Sequence, residues 1–267
     1  MLKKRLIFTL LYDNGQFMLS RNFRLQKVGN LDWLQTNYNF SHISFFIDEL
    51  IVLDVTRGKK NLNEFCSTLK QLTKGCFVPI TAGGGLNTIE TASKLLRSGA
   101  DKIVANSALF KNNNFISQLA SEYGKQCVVA SIDIKASSDG EYKVWSECGS
   151  NCETGLASMW IEKVLQKSIG EIYINSMDRD GTGQGYDLKI LELLPKNISK
   201  PVILAGGVGN ALHLAEGINN PHVDAVSTAH LFNFIGDGLR DARNSLINKG
   251  VDLPLWNLSN LEKSLLK

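Results

Sequence analysis

Two glycine turns, Ala82-Gly83-Gly84-Gly85 and Ala205-Gly206-Gly207, stand 123 positions apart, each after a short apolar run and before a stretch with helical spacing. Glycine lets backbone N–H groups approach an anion with no Cβ in the way, and the helix N-terminus that follows adds partial positive charge. A single turn of this kind is also ordinary strand-to-helix punctuation. Its repetition at a fixed interval implies a duplicated strand–turn–helix unit with two phosphate cups, suited to a ligand that carries two phosphates. The architecture that best accommodates such a duplication is a (β/α)8 TIM barrel built from two half-barrel repeats. The 267 residues agree with the roughly 250 that such a barrel takes.

The rest of the chain follows that plan. Short apolar, β-branched runs at residues 5–11, 50–55, 77–82, 102–106, 128–134, 171–176, 202–205 and 225–228 read as eight parallel strands. Segments 62–72, 88–96, 114–123 and 156–166 carry apolar residues at helical spacing and read as an outer ring packed on those strands. One barrel is expected over residues 1–250, with 251–267, including Trp256, as a C-terminal tail. The alternation Glu141-Tyr142-Lys143-Val144-Trp145 reads as a small hairpin on the mouth side, where the long stretch 20–48 also lies.

Shifted by about 122 positions, Asp48-Glu49-Leu50-Ile51-Val52 meets Gly170-Glu171-Ile172-Tyr173-Ile174, and Leu109-Phe110 meets Leu231-Phe232. The same shift sets Asp133, at the end of the fifth strand, against Leu11, at the end of the first. The C-terminal strand ends of such barrels carry the chemistry, so Asp133 is placed as a general acid or base; the plainer reading is a hydrogen-bonded strand-end carboxylate. Leu11 cannot move a proton. Acid–base ring closure by two facing carboxylates is therefore left with one of its pair.

Composition excludes several classes. The net charge of +3, from 29 basic and 26 acidic residues, is too even for nucleic-acid binding through bulk electrostatics. No apolar run is long enough to cross a bilayer, and the basic start Met1-Leu2-Lys3-Lys4-Arg5 gives way to Asp13-Asn14-Gly15 without a cleavage pattern, so a cytoplasmic protein is expected. Cys66, Cys76, Cys127, Cys148 and Cys152 read as free thiols in a reducing compartment. Cys148 and Cys152 have no partners that complete a zinc set, and neither a metal nor a cofactor is expected.

Asp48-Glu49-Leu50 before Leu53-Asp54, Ala82-Gly83-Gly84-Gly85, Gly99-Ala100-Asp101-Lys102, Ile132-Asp133 and Asp178-Arg179-Asp180-Gly181-Thr182 together carry a resemblance. Over residues 1 to about 250 the chain resembles the HisF-type cyclase subunit of imidazole glycerol phosphate synthase. The resemblance implies a HisH-like glutaminase partner at the barrel bottom, ammonia passing through the lumen, and a phosphorylated small molecule at the top. It implies one phosphate cup from Gly84, Gly85, Asn106 and Ser107 and another from Asp180, Gly181, Gly206 and Gly207. In the second cup His230 replaces the family's serine, either to bind an anion when protonated or merely to fill the site.

The family's entrance gate maps to Arg5, Glu49, Lys102 and Glu171, all retained, although a salt-bridged floor plug would need the same pairing. Asp101 maps to a glutaminase contact, or is an exposed turn carboxylate. The family's catalytic aspartates map to Leu11 and Asp133, and a family lysine maps to Leu19, so both chemical groups of the first strand are lost. The longer loop with Arg21, Arg24 and Lys27 is similar to the HisF-type branch associated with acetamidino-sugar modification of surface polysaccharides. In that branch a separate sugar amidotransferase is the further partner. The expected function is ammonia delivery for sugar amidination; the rival is an active cyclase in which Asp13 substitutes for the missing carboxylate.

Overall fold

The computed structural model describes residues 3–38, 43–230, 234 and 236–255; Leu231, Phe232, Trp256 and positions 39–42 of the first long loop fall outside them. The described strands are β1 (Arg5–Asp13), β2 (Gln16–Arg21), β3 (Arg24–Gly29), β4 (Glu49–Asp54), β5 (Ile80–Gly83), β6 (Lys102–Ala105), β7 (Val128–Ala136), β8 (Tyr142–Ser146), β9 (Asn151–Cys152), β10 (Glu171–Ser176), β11 (Val202–Ala205) and β12 (Ala225–Thr228). Eight of them pair in parallel around a closed circuit, β1-β4-β5-β6-β7-β10-β11-β12, with β12 returning to β1. The chain is a (β/α)8 barrel.

Period-two side-chain alternation divides each strand between two cores. On β1, Leu6, Phe8 and Leu10 pack outward with the helices, while Ile7 packs inward with Ile51, Val104, Val129, Tyr173 and Ile203. The helices meet the outer core through apolar residues one turn apart. The helix Leu62–Thr73 buries Phe65, Leu69 and Leu72, and its first turn is capped by Asn61, whose side chain accepts from the Glu64 N–H. Thr88, Asn112 and Asn210 cap their helices in the same way. After β10 the outer layer has a 3-10 segment, Leu188–Leu193, where the alternating plan leads one to expect an α-helix. Among the described residues no helix is long and apolar enough to cross a membrane.

The half-barrel repeat survives in the register. Glu49–Asp54 and Glu171–Ser176 occupy equivalent strands, as do Ile80–Gly83 and Val202–Ala205. Both halves also carry an antiparallel hairpin on their first strand. β7 continues into β8 and β9, close to the expected hairpin, and β1 continues into β2 and β3, where the long loop contains regular structure. The β1–β2 turn is Asn14-Gly15, with φ of 42° and 80°, the left-handed pair that a two-residue hairpin turn requires. A helix, Leu31–Tyr38, follows β3.

Carboxylates tie strand starts together on the bottom face. Asp48 accepts the Leu6 N–H at 2.8 Å, Asp101 the Ile80 N–H at 2.8 Å, and Asp224 the Val202 N–H at 2.9 Å. Asp48 is buried and also takes a two-pronged ion pair from Arg243 at 2.9 and 2.8 Å. The first residues of the C-terminal segment are anchored nearby, with Leu253 buried and the Asp252 carbonyl accepting from the Lys4 N–H.

Candidate functional site

At the bottom of the lumen, four charges close a ring. Arg5 reaches Glu49 and Glu171 at 2.8 Å each, and Lys102 reaches the same two carboxylates at 2.9 and 2.7 Å. Each lies near the N-terminal end of its strand and points inward, so the ring draws on β1, β4, β6 and β10. Burial opposes the Arg5 charge, but Glu171 and Glu49 outweigh it and hold its pKa above the ordinary value. Burial likewise opposes ionisation of Glu171, and Arg5 and Lys102 outweigh it, leaving its pKa low. Arg5 and Glu171 are thus held in their charged forms by partners of opposite sign. Thr81 adds a hydrogen bond to Glu49 at 2.5 Å. Asp101 is exposed beside Lys102, and its bond to Ile80 already gives it a structural task.

At the other end lies a cavity of about 820 Å³ enclosed by the C-terminal strand ends. Both glycine turns line it. Gly84 has φ of 123° and a Cβ there would meet the Asp54 carbonyl at 2.1 Å; Gly207 has φ of 110° and a Cβ would meet the Gly185 carbonyl at 2.1 Å. Neither position admits another residue without displacing backbone. Gly85, Asn106, Ser107, Asp180, Gly181 and Gly206 line the same cavity, so the structure brings all the expected cup residues around one space.

Asp133 stands in the wall with only 8% of its surface exposed. Asn106 and Asn175 each donate an amide N–H to it at 3.2 Å, one to each oxygen. Burial pushes its carboxyl pKa up to about 7, the Asn175 bond pulls the other way, and Asp180 adds to the rise. A carboxyl so placed exchanges its proton near neutrality, which is the condition for general acid–base work. Across the mouth the wall is aliphatic: Leu11, Leu19, Leu25 and Leu53 line it together with Phe23. Among the described residues the other carboxylates that line the cavity, Asp54, Glu147 and Asp180, stand on other elements than β1. Asp13 pairs with Gln16 at the hairpin turn and is outside the cavity wall, so the rescue by Asp13 that the rival reading invokes has no geometric basis.

The two hairpins roof this space. Asp180 accepts from the Ser20 hydroxyl at 2.5 Å and the Phe23 N–H at 3.0 Å, fixing the β2–β3 turn to the second cup. The Glu147 N–H donates to the Ser107 hydroxyl at 3.0 Å, fixing the β8–β9 turn to the first. Arg57 then joins the tips, donating to the Phe23 carbonyl at 2.6 Å and the Cys148 carbonyl at 3.3 Å. Phe23 and Cys148 have φ of 62° and 54°, strained values for side chains with a Cβ.

Several cavity residues lie beyond the sequence motifs. Lys60 crosses above Gly85 and donates to the Asp54 carbonyl at 2.7 Å and carboxylate at 3.0 Å. Arg57, Lys111 and Glu147 also line the wall, and Lys111 pairs with Glu147. The signal was the basic cluster Arg57-Gly58-Lys59-Lys60 immediately past a strand end. The buried Thr56 hydroxyl, also in the wall, has no hydrogen-bond partner among the described residues. Arg21, Arg24 and Lys27 are exposed and outside the cavity wall. His230 does line the second cup; burial lowers its pKa, so at neutral pH it is an uncharged ring there and the protonated-anchor reading loses ground.

Fold and site together define a duplicated (β/α)8 barrel with a glycine-turn cavity at the C-terminal strand ends and a charged ring at the other. Residues 36–236 match the model of the histidine biosynthesis protein family, and the chain belongs to that family as a HisF-like member. A protein of Parasynechococcus marenigrum with the provisional name imidazole glycerol phosphate synthase subunit hisF2 is 43% identical over 267 residues, covering 97% of this chain and 96% of its own length. The imidazole glycerol phosphate synthase subunit HisF of Chlorobium luteolum is 35% identical over 256 residues, covering 96% and 100%.

Proposed function

We propose that this chain is the synthase-side subunit of a glutamine-dependent amidotransferase. It takes ammonia from a glutaminase docked at the barrel bottom and conducts it through the lumen for amidination of a surface-polysaccharide sugar by a separate amidotransferase. The observation that carries the reading is the combination of a complete floor ring, Arg5, Glu49, Lys102 and Glu171, with an aliphatic strand-one position at the mouth. The ring supplies a small charged entrance; Leu11 removes the second acid–base group that ring closure would use. Gly84, Gly85, Asn106 and Ser107 on one side, and Asp180, Gly181, Gly206 and Gly207 on the other, hold a phosphorylated ligand in the cavity. Asp101 contributes a rim charge toward the glutaminase. The barrel spans residues 1–250, and 251–267 follow it as a C-terminal tail.

The test is a reconstituted assay with the glutaminase, this chain and the sugar amidotransferase, supplied with glutamine as the only nitrogen source. Omission of this chain is expected to abolish amidinated product; unchanged product overturns the delivery role. The rival reading, an active cyclase, is favoured by the names of the two relatives and by the retained Asp133. It requires turnover of the family's aminoimidazole precursor with ammonium salts and loss of that turnover in Asp133→Asn.

A further inference from the structure

The lumen wall changes character between the floor ring and the cavity. Ile7, Ile51, Val129, Ile203 and Ala225 form an apolar cluster inside the barrel, with Tyr173 among them. Tyr173 lies one inward step above Glu171 on β10, and Thr9 lies two inward steps above Arg5 on β1; each step of two residues rises about 6.6 Å. The Thr9 and Ser227 hydroxyls are 2.7 Å apart; burial raises the pKa of the Tyr173 phenol, and these two neighbouring hydroxyls oppose the rise. These three residues and Ser131 all border the cavity from below. The phenol is thus where the apolar passage opens into the polar space.

The repeat gives a reason to ask why a phenol is there. At the same offset the first half-barrel has Ile51, inward-facing and fully buried. The fold therefore accepts an aliphatic side chain in this layer. Placing a hydroxyl in an apolar lumen costs free energy unless it is bonded, and Thr9 and Ser227 offset their cost by bonding each other. Three polar residues on three strands are thus kept in register where packing asks for none.

We propose that Tyr173, Thr9 and Ser227 form a binding step for one molecule of neutral ammonia, the second checkpoint of the lumen after the floor ring. Ammonia has one lone pair and three N–H bonds, so it accepts from one hydroxyl and donates to the others. The phenol remains uncharged at physiological pH, because burial pushes its pKa up to about 12. The hydroxyl layer itself carries no formal charge; Asp133 and Asp180 stand above it and the ring of Arg5, Glu49, Lys102 and Glu171 below. An ammonium ion gains no counter-ion within the layer, and the apolar residues beneath strip its water, so the step selects the neutral amine. This inference rests on the reading of the lumen as an ammonia conduit.

The test uses the full chain with 13C at tyrosine Cζ, titrated with ammonium chloride at pH values on either side of the ammonia pKa, with sodium chloride as the matched control. A saturable shift of the Tyr173 resonance that follows the neutral species, and disappears in Thr9→Val, is the expected result. In the assay of the assembled enzymes, Tyr173→Phe is expected to lower the ratio of glutamine-driven to ammonium-driven product about tenfold, the worth of roughly one hydrogen bond. A resonance that ignores ammonia, or follows total ammonium, overturns the binding step whatever the assembled enzymes do. Conversely, a normal titration together with unchanged product on omission of the chain retains the step and overturns the delivery role.

Discussion

The two half-barrels agree at the floor and part at the mouth. At the floor, Glu49 and Glu171 occupy equivalent positions and accept from the same two cations, Arg5 and Lys102. At the mouth, the neighbours Asp133 and Asn175 have as their counterparts Leu11 and Leu53, paired in the same register. One backbone plan thus presents a proton-exchanging carboxyl with amide donors on one side and an aliphatic wall on the other. Backbone geometry is inherited by the repeat, whereas chemistry depends on which side chain the inward phase delivers at each height.

The largest expected effect breaks the polar side. Asp133 is protonated more readily in the folded chain, where its pKa is about 7, than unfolded, where it is about 3.9. Its contribution to stability is therefore full below about pH 4 and is lost as pH rises through about 7, by up to about 4 kcal/mol. Asp180, also raised by burial, adds a slope of the same sign. Asp133→Asn is expected to flatten this dependence, giving a higher urea midpoint than wild type at pH 8 and little difference at pH 4. Equal pH slopes in the two proteins would show that Asp133 is solvated.

The floor serves as the reference, because Glu49 and Glu171 hold equivalent positions in the two halves. Lys102→Met leaves Glu49 and Glu171 sharing a single cation and is expected to cost about 3 kcal/mol by urea unfolding. Adding Glu171→Gln should recover part of that loss, as a double-mutant cycle will show.

The converse substitution at the mouth, Leu11→Asp, recreates the missing pair. With ammonium salts and the aminoimidazole precursor, turnover is expected to rise about 10²-fold, or about 2.7 kcal/mol of barrel-mouth catalysis. A flat response would mean that Leu11 is not the limiting difference between the halves. The smallest change concerns the roof. Arg57 is exposed, so Arg57→Ala is expected to shift stability by about 0.5 kcal/mol or less, while proteolysis at the Phe23 and Cys148 turns rises.

The eight barrel strands were legible because their apolar runs and glycine ends state both period and boundary. Leu62–Thr73 and Ile89–Arg97 were legible through helical spacing and capping side chains. Strand β3 was harder to read, since Arg24, Gln26 and Lys27 face solvent while Leu25, Val28 and Gly29 are partly buried; the surest mark nearby was Asn14-Gly15, the turn between β1 and β2. Among site residues, the glycines and Asp133 announce themselves by position at strand ends. Arg57 and Lys60 were marked only by a basic cluster past a strand end, and Glu147 comes from a loop that tertiary packing brings to the cavity. The same holds for the exposure of Arg21, Arg24 and Lys27, because which face of a hairpin is wet follows from what lies beneath it.

The bond between Asp48 and Arg243 has a consequence for how the molecule is made. The two are 195 residues apart, and at about 5–20 residues per second a ribosome needs roughly 10–40 s to travel that far. During this interval the nascent chain holds an acid destined for the interior while its cation has not yet been synthesised. Leu6 and Asp48 can meet early, but the seam they form is neutralised only when the helix Gly238–Asn248 emerges. The first half-barrel is accordingly an unfinished object on the ribosome, and any stop upstream of Arg243 leaves it so.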